Sequence, residues 1–159
     1  MPNFFLDTSA LAKLYHQEAG SDYLERMIEQ PGTICVISRL SIVEMESVLA
    51  IKVRSGQLDN AGMEIARRRL RADIAQRRIL VAPPVQEKHF HGARKLLALY
   101  GVAEGLRTLD ALQLSIALDL QQAGLIAVMV AADLRLCRVV ELAGCSAINP
   151  QDPRPIGAA

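Results

Sequence analysis

The sequence predicts a single α/β domain built on a parallel sheet of four to five strands flanked by helices. Short apolar runs without polar alternation recur along the chain, which is typical of strands buried on both faces of a parallel sheet. Longer segments with helical periodicity separate these runs, as in successive βαβ units with right-handed crossovers. With 159 residues, of which 51% are hydrophobic, the chain is long enough to bury a substantial core.

The first half of the chain contains strand–helix units bounded by residues that start or stop helices. The predicted strands are residues 4–6 and 33–37, and the predicted helices are residues 10–18, 22–29 and 39–54. Ser21 is a typical N-cap, and Gly20, Pro31-Gly32 and Gly56 are typical helix ends. Asp59 opens a strongly charged helix that is predicted to continue to Arg78.

The second half repeats this alternation and ends in a segment rich in Pro and Gly. The predicted strands are residues 79–82, 126–131 and 146–149, and the predicted helices are residues 85–100, 108–124 and 133–143. Thr108 is the expected cap of its helix. No internal repeat or linker divides the chain, so we expect one domain over residues 1–150 and a flexible C-terminal tail over residues 151–159.

Composition restricts the class of protein. The net charge is +1, so binding to a polyanion has to depend on local patches rather than on overall charge. The three cysteines, Cys35, Cys137 and Cys145, lie in apolar contexts without CxxC spacing, which favours reduced, buried thiols. Neither a basic-then-apolar leader nor an apolar run of membrane-spanning length is present in the sequence, so we expect a cytoplasmic protein without a membrane partner.

Four acidic residues fall at the carboxyl edge of the predicted sheet, where open α/β folds bind their ligands. Asp7 and Asp133 each follow a strand and precede a helix. Glu44 is the one charge on an apolar helix face that includes Leu40, Val48 and Ile51, and Asp110 lies in the first turn of the helix before the fourth strand.

Each acid also has a purely structural interpretation, which the sequence leaves open. Asp7 and Asp133 are favoured N-cap residues, and Asp110 is favourably placed on a helix dipole. Glu44 follows Ser41 at the spacing of a capping box. The four together are more informative, because carboxylates about 4 Å apart repel by roughly 4 kcal/mol per pair at an effective dielectric constant of 20.

A cluster of four carboxylates has to bind protons or cations. Neither His nor Cys occupies a comparable position, so the predicted ligands are hard oxygens and the matching ions are Mg²⁺ or Mn²⁺. Such ions polarise a phosphoryl oxygen, activate water and stabilise the leaving oxygen in a phosphodiester displacement. The sequence therefore predicts a divalent-metal site formed by Asp7, Glu44, Asp110 and Asp133.

Four segments resemble the PIN-domain family, and within it the VapC-type toxins of bacterial toxin–antitoxin pairs. They are FLDTSALAKLY, ISRLSIVEMESVL, LRTLDALQLSIAL and VAADLRL, which occur in the family's order from about Asn3 to Pro150. The resemblance implies that residues 1–150 form a PIN-like nuclease domain. It also implies a Mg²⁺- or Mn²⁺-dependent endoribonuclease that cleaves RNA by activating water, forms a homodimer and is blocked by a cognate VapB-type antitoxin.

The family's site residues correspond to Asp7, Glu44, Asp110 and Asp133 in this sequence. The hydroxyl that follows the first acid corresponds to Thr8 or Ser9, and we favour Ser9 as the residue that orients Asp7 or a water. One position departs from the family pattern: Ala131 stands where a Thr or Ser often precedes the last acid, so a supporting hydroxyl is missing there.

Other functions remain open from sequence alone. A PIN nuclease that processes RNA without being a toxin fits the same residues. An aspartate-dependent phosphatase would have a second Asp two residues after the first, where this chain has Ser9, and a phospho-receiver domain would have an acidic pair near the first strand. A non-catalytic domain in which all four acids are helix caps is the fourth alternative.

The charged helix offers a second candidate contact with RNA. Six arginines lie on it: Arg67, Arg68, Arg69, Arg71, Arg77 and Arg78. Its spacing predicts the pairs Glu64–Arg68 and Asp73–Arg77, which leaves Arg67, Arg71 and Arg78 for RNA phosphates. A solvated helix face or a contact with a partner is the alternative.

Overall fold

A computed structural model describes residues 2–154 and contains one sheet of five parallel strands in the order β3-β2-β1-β4-β5. The strands are β1 (Asn3–Leu6), β2 (Ile34–Ile37), β3 (Ile79–Val81), β4 (Val128–Val130) and β5 (Ser146–Ile148). Each is a short apolar run, as predicted, and the predicted parallel α/β fold is confirmed. The strand order reverses direction between β1 and β4, which makes that pair the topological switch point of the sheet.

Seven α-helices and one 3₁₀ helix connect the strands within the described residues. They are α1 (Thr8–Leu11), a 3₁₀ helix (Ala12–Leu14), α2 (Ser21–Ile28), α3 (Arg39–Arg54), α4 (Asn60–Ala75), α5 (Glu87–Tyr100), α6 (Thr108–Gln122) and α7 (Leu134–Leu142). The long helix α3 has the predicted bounds, and Ser38 caps it through a hydrogen bond from the backbone N of Ser41.

The helices cover both faces of the sheet, and alternate residues of the strands pack into two hydrophobic clusters, one on each face. Phe5 and Met129 pack in one cluster with residues of α5, α6 and α7. Phe4, Leu6 and Ile37 pack in the other cluster with residues of α1 to α4. The side chains of a strand point alternately to opposite faces, so both faces of these short strands are buried.

The helix predicted for residues 10–18 is shorter than expected and ends in the 3₁₀ turn at Leu14. The early end allows Glu18 to fold back between two mostly buried lysines. Its carboxylate lies 3.0 Å from Lys13 Nζ and 2.9 Å from Lys52 Nζ. In a continuous helix, residues five apart would lie about 140° apart around the axis, so Lys13 and Glu18 would not meet.

The charged helix also ends before its predicted limit, and its ion pairs differ from those expected. Arg77 has a left-handed backbone conformation (φ 60°) beyond the end of α4. Glu64 pairs with Arg67 and not with Arg68, and Asp73 pairs with Arg78 and not with Arg77. The predicted pairs are therefore wrong, because contacts from outside the helix select the partners.

Those outside contacts are Glu46 on α3 and Tyr15 after the 3₁₀ helix. Glu46 binds Arg67 with an N···O distance of 2.7 Å, and the Tyr15 hydroxyl donates to Asp73 at 2.8 Å. Arg67 and Arg78 are thus engaged by carboxylates, contrary to the sequence-based expectation that both were available for RNA.

Two predicted caps are the first residues of their helices. Gly20 and not Ser21 is the N-cap of α2, and Arg107 and not Thr108 is the N-cap of α6. Residues 155–159 of the predicted tail lie outside the described residues. Within residues 2–154, no helix combines the length and the apolar character that crossing a membrane requires.

Candidate active site

The four predicted acids lie around the carboxyl ends of β1 and β4. Asp7 directly follows β1, and its backbone N donates to Val130 O of β4 at 2.9 Å. Asp133 lies three residues after the end of β4 and is the N-cap of α7. Glu44 is contributed by α3 and Asp110 by the first turn of α6. The site therefore lies at the switch point, where the two halves of the sheet leave a crevice.

Asp7 is a buried carboxylate that caps a helix with one of its two oxygens. Only 5% of its surface is exposed, and it caps α1 by accepting hydrogen bonds at Oδ2 from the backbone N (3.0 Å) and the hydroxyl (2.6 Å) of Ser9. The structural alternative of a cap is thus realised. It uses Oδ2, and the hydrogen bonds of the described residues do not include Oδ1, which leaves that oxygen for a ligand.

The electrostatic environment of Asp7 disfavours its charge. Burial, together with repulsion from Asp110 and Glu44, raises the pKa of Asp7 to about 6 despite the opposing hydrogen bonds from Ser9. The ionised carboxylate is therefore destabilised in the folded protein unless a cation joins it.

Ser9 connects the two strand ends that form the crevice. Its hydroxyl donates to Asp7 Oδ2 and accepts from the backbone N of Ala132 at 3.0 Å. This second bond reaches the segment just after β4, at the residue that follows Ala131. Ser9 thus fixes the orientation of Asp7 relative to the loop that carries Asp133.

Glu44 does not form the capping box that its spacing allowed. Ser38 is the N-cap of α3, so Ser41 and Glu44 lie inside the helix. Glu44 Oε2 instead accepts hydrogen bonds from the Thr8 hydroxyl at 2.7 Å and from Gln113 Nε2 at 2.6 Å. Both donors come from other elements, so the carboxylate is held by tertiary contacts.

Gln113 is a part of the site that the sequence analysis missed. It is fully buried in α6, and its side chain bonds Ser38, Ser41, Thr8 and Glu44. The sequence does contain a signal for it: this polar amide stands between Leu112 and Leu114 in an otherwise apolar run. A buried amide needs hydrogen-bonding partners, so such a residue predicts a polar network.

Arg107 is a second site residue that the sequence did not predict, and its guanidinium links Asp110 to Asp133. Its guanidinium lies 3.1 Å from Asp110 Oδ2 and 3.5 Å from Asp133 Oδ2, at the mouth of a pocket of about 110 Å³. A cation at the N-terminus of a helix opposes the helix dipole. An arginine just before a predicted helix start was therefore a signal for an anionic partner.

Asp110 is a mostly buried acid beside Arg107, and Asp133 is the N-cap of a helix. Burial, assisted by Asp133 and Glu44, raises the pKa of Asp110 above its usual range although Arg107 acts in the opposite direction. Asp133 Oδ1 accepts from the backbone N of Arg135 (2.8 Å) and of Leu136 (3.2 Å), so its capping alternative is realised too. Its Oδ2 faces Arg107.

The acids are close enough to raise one another's pKa, but their side chains are not arranged around a common metal position. Among residues 2–154, no group of three or more His, Cys, Asp or Glu side chains has the spacing of a completed metal site. The donor set nevertheless fits a hard divalent cation, because all four candidates are carboxylates. Arg107 already brings one positive charge against two of them. An ion held by Asp110 and Asp133 would compete with this guanidinium for their oxygens.

Comparison with known proteins identifies the family of the fold. The family model of the PIN domain matches residues 4–142, which is most of the chain and includes all four acids.

The chain belongs to the PIN domain family.

This membership supports a nuclease, that is, a hydrolase that acts on nucleic acid phosphodiesters. No curated protein sequence matches the chain.

Solved structures of PIN-like architecture match almost the whole fold. VapC20 of Mycobacterium tuberculosis, a sarcin–ricin loop cleaving toxin, has a TM-score of 0.63 at 18% identity, covering 92% of this chain and 99% of its own. VapBC2 of Rickettsia felis, bound to a DNA fragment from its promoter, has a TM-score of 0.57 at 16% identity, covering 86% and 92%. PAE2754 of Pyrobaculum aerophilum has a TM-score of 0.55 at 24% identity, covering 92% and 83%. At these identities the similarity concerns the fold.

Proposed function

We propose that this PIN domain is a Mg²⁺- or Mn²⁺-dependent endoribonuclease and the toxin of a VapBC-type toxin–antitoxin pair. The observation that carries the proposal is the meeting of Asp7, Glu44, Asp110 and Asp133, from four separate elements, at the switch point of the sheet. Burial, with a smaller contribution from mutual repulsion, raises the pKa of Asp7 and of Asp110, as expected of carboxylates that lack a sufficient counter-charge.

Each residue has a defined role in this proposal. Asp7, Asp110 and Asp133 are the metal ligands, and Glu44 is a ligand or the base that orients water. Ser9 keeps Asp7 Oδ2 fixed, so that Oδ1 is the oxygen presented to the ion. When bound, Mg²⁺ or Mn²⁺ supplies Lewis-acid polarisation of a phosphoryl oxygen and lowers the pKa of water.

Arg107 has a role that follows from its exposure and its contacts. Its side chain is 73% exposed, and its guanidinium pairs with Oδ2 of Asp110 and with Oδ2 of Asp133. With a divalent cation held by these carboxylates, the exposed guanidinium would be free to donate hydrogen bonds to a phosphate of the RNA. Arg71, exposed on α4, remains a further candidate for RNA contacts, and the exposed Arg68 is added to it because Glu64 pairs with Arg67.

The substrate and partners are proposed by similarity. VapC20 is described as a toxin that cleaves the sarcin–ricin loop, which supports a structured RNA as substrate. VapBC2 supports a cognate VapB-type antitoxin as partner. We further propose a homodimer in the cytoplasm, and a domain that spans residues 1–150 with a short tail over residues 151–159.

Cleavage of RNA by the purified protein tests the enzymatic part of the proposal. Wild-type protein with Mg²⁺ or Mn²⁺ is expected to cut a panel of structured ribosomal and transfer RNA fragments, and EDTA is expected to stop the reaction. Asp7→Asn should abolish cleavage and leave the fold intact, whereas the control Asp22→Asn, an exposed acid on α2, should cleave as the wild type does. Cleavage that persists in Asp7→Asn would remove the assignment.

Growth tests separate a toxin from an RNA-processing nuclease. Expression of the wild-type chain should arrest bacterial growth, and co-expression of a short reading frame that overlaps its gene upstream should relieve the arrest. Cleavage without growth arrest would favour the processing enzyme. Hydrolysis of a simple aryl phosphate, with no action on RNA, would favour an aspartate-dependent phosphatase.

A further inference from the structure

We propose that Gln113 is a positioning residue that holds the Glu44 carboxylate in the orientation needed for metal binding. This inference rests on the proposed function, since it concerns the same site. The observations behind it are the hydrogen bonds and the burial of one side chain.

The amide of Gln113 is buried and fully engaged. The residue has no exposed surface, and a primary amide in such a place is costly unless it is hydrogen-bonded. Its Oε1 accepts from the Ser38 hydroxyl at 2.7 Å, and its Nε2 contacts Ser41 Oγ at 3.0 Å and Glu44 Oε2 at 2.6 Å. An ionised carboxylate only accepts hydrogen bonds, so the NH₂ group has to face Glu44, which fixes the orientation of the amide.

Glu44 is held by one oxygen only. Its Oε2 receives two short hydrogen bonds, one from Gln113 and one from the Thr8 hydroxyl at 2.7 Å. The hydrogen bonds of the described residues do not include Oε1. The carboxylate is therefore fixed in orientation and keeps one oxygen for a cation or a water, which is the arrangement that supporting residues provide at metal sites.

The neutrality of Gln113 matters for the site. A cationic side chain beside Glu44 would neutralise the charge that attracts the metal. An amide donates hydrogen bonds to the carboxylate and leaves the negative charge of the cluster intact.

Gln113 also couples the positions of several acids. It lies three residues after Asp110, one turn along α6 and on a similar face of the helix. Through Glu44 and Thr8 it reaches the residue next to Asp7. The contact of Gln113 with Thr8 spans 105 residues of sequence, and together with the contact to Glu44 it joins the start of α1, helix α3 and helix α6 around the crevice.

A purely structural role for Gln113 makes a different prediction. If the residue only satisfied the buried hydroxyls of Ser38 and Ser41, its loss would lower the melting temperature and leave metal affinity unchanged. Measurement of both quantities on the same variants therefore separates the two roles.

The test uses Gln113→Met, which keeps the length of the side chain and removes its polar groups. Titration calorimetry with Mn²⁺ alone is expected to give about 10- to 100-fold weaker binding than in the wild type. Gln121→Met is the matched control: the same change on the same helix, where Gln121 Nε2 donates to Gly144 O away from the site. It should bind Mn²⁺ as the wild type does.

A double-mutant cycle with Glu44→Gln decides whether Gln113 acts through Glu44. If it does, Gln113→Met should change Mn²⁺ affinity less than about 2-fold in the Glu44→Gln background, because interacting residues are not additive. Thr8→Val removes the other donor to the same oxygen and should also weaken Mn²⁺ binding. It serves as the second variant if Gln113→Met does not fold.

Three outcomes would overturn the inference. They are wild-type Mn²⁺ affinity in Gln113→Met with a lowered melting temperature, wild-type affinity in Thr8→Val, or fully additive effects of Gln113→Met and Glu44→Gln. Failure of the proposed function is recognised separately, since the wild-type protein itself would then neither bind Mn²⁺ nor cleave RNA.

Discussion

At the scale of single residues, the aspartates at helix starts combine capping with charge. Asp7 and Asp133 each use one oxygen to accept backbone hydrogen bonds at the N-terminus of a helix. The other oxygen of each is directed elsewhere: Asp133 Oδ2 bonds Arg107, and Asp7 Oδ1 has no part in the hydrogen bonds of the described residues. Cap and ligand are therefore compatible roles, because capping engages one carboxylate oxygen and fixes the direction of the second.

The raised pKa of Asp7 predicts an unusual dependence of stability on pH. A carboxyl whose folded pKa (about 6) lies above its ordinary value of 3.8 destabilises the metal-free protein when ionised. This penalty shrinks as pH falls below the folded pKa and vanishes only below the ordinary value. We expect Asp7→Asn in EDTA to be more stable than the wild type at pH 7.5, by about 3 kcal/mol.

Urea denaturation of both proteins between pH 7.5 and 4.5 measures this difference. The two free energies of unfolding should converge as pH falls, because the wild-type carboxyl takes up its proton. Saturating Mn²⁺ at pH 7.5 should reverse the order and make the wild type the more stable protein. A stability difference that does not vary with pH would contradict the assignment.

At the scale of elements, the connection between the 3₁₀ helix and α2 is fixed by close packing against the chain after β5. Gly20 has φ +92°, and a Cβ atom there would lie 2.8 Å from the carbonyl carbon of Pro150. The same connection places Glu18 between Lys13 and Lys52. The end of the sheet and the start of α2 thus stabilise each other.

Replacement of Gly20 by Ala should destabilise the protein for two separable reasons. The left-handed conformation costs about 1 kcal/mol for a residue with a Cβ atom, and the clash with the Pro150 backbone raises the total to about 3 kcal/mol. Gly56→Ala is the matched control, since Gly56 has φ +75° and nothing within 4 Å of its Cβ position. Denaturation midpoints measure both variants, and equal losses would show that the contact with Pro150 contributes nothing.

At the scale of the whole molecule, the strand order decides where chemistry takes place. The order β3-β2-β1-β4-β5 puts the first strand of the sequence at the centre and pairs it with the fourth. The connection after β1 leads to β2 on one side and the connection after β4 leads to β5 on the other, and the crevice forms between them. The acids, the hydroxyl of Ser9 and Arg107 all lie around this crevice.

Divalent cations should stabilise the whole domain, since they relieve repulsion at the point where its two halves meet. At about 100 times the dissociation constant, a bound ion adds about 2.7 kcal/mol, which corresponds to a rise in melting temperature of about 5 °C or more for a domain of this size. Differential scanning calorimetry with Mn²⁺ measures the shift. KCl at the same ionic strength and the Asp7→Asn variant are the controls, and neither should show it.

The candidate site was predictable in part, and the limits have physical causes. The acids were found because each follows a recognisable strand or helix start. Gln113 was missed because its importance depends on partners far away in sequence: Gln113 and Thr8 are 105 residues apart. Arg107 was missed although Asp110 lies only one turn away, since its link to Asp133 exists only in the folded chain. The choice of Glu46 as the partner of Arg67 was missed for the same reason, since α3 and α4 meet only in the folded chain.

The sequence by itself determined the alternation of strands and helices, the parallel sheet and the placement of four acids at one edge. These features depend on local periodicity and on residues at element ends, which act over a few neighbours. Only the tertiary structure decided the strand order, the early end of the first helix, the ion pairs of α4 and the orientation of Glu44. Those features are set by contacts between distant segments, whose energies no local pattern contains.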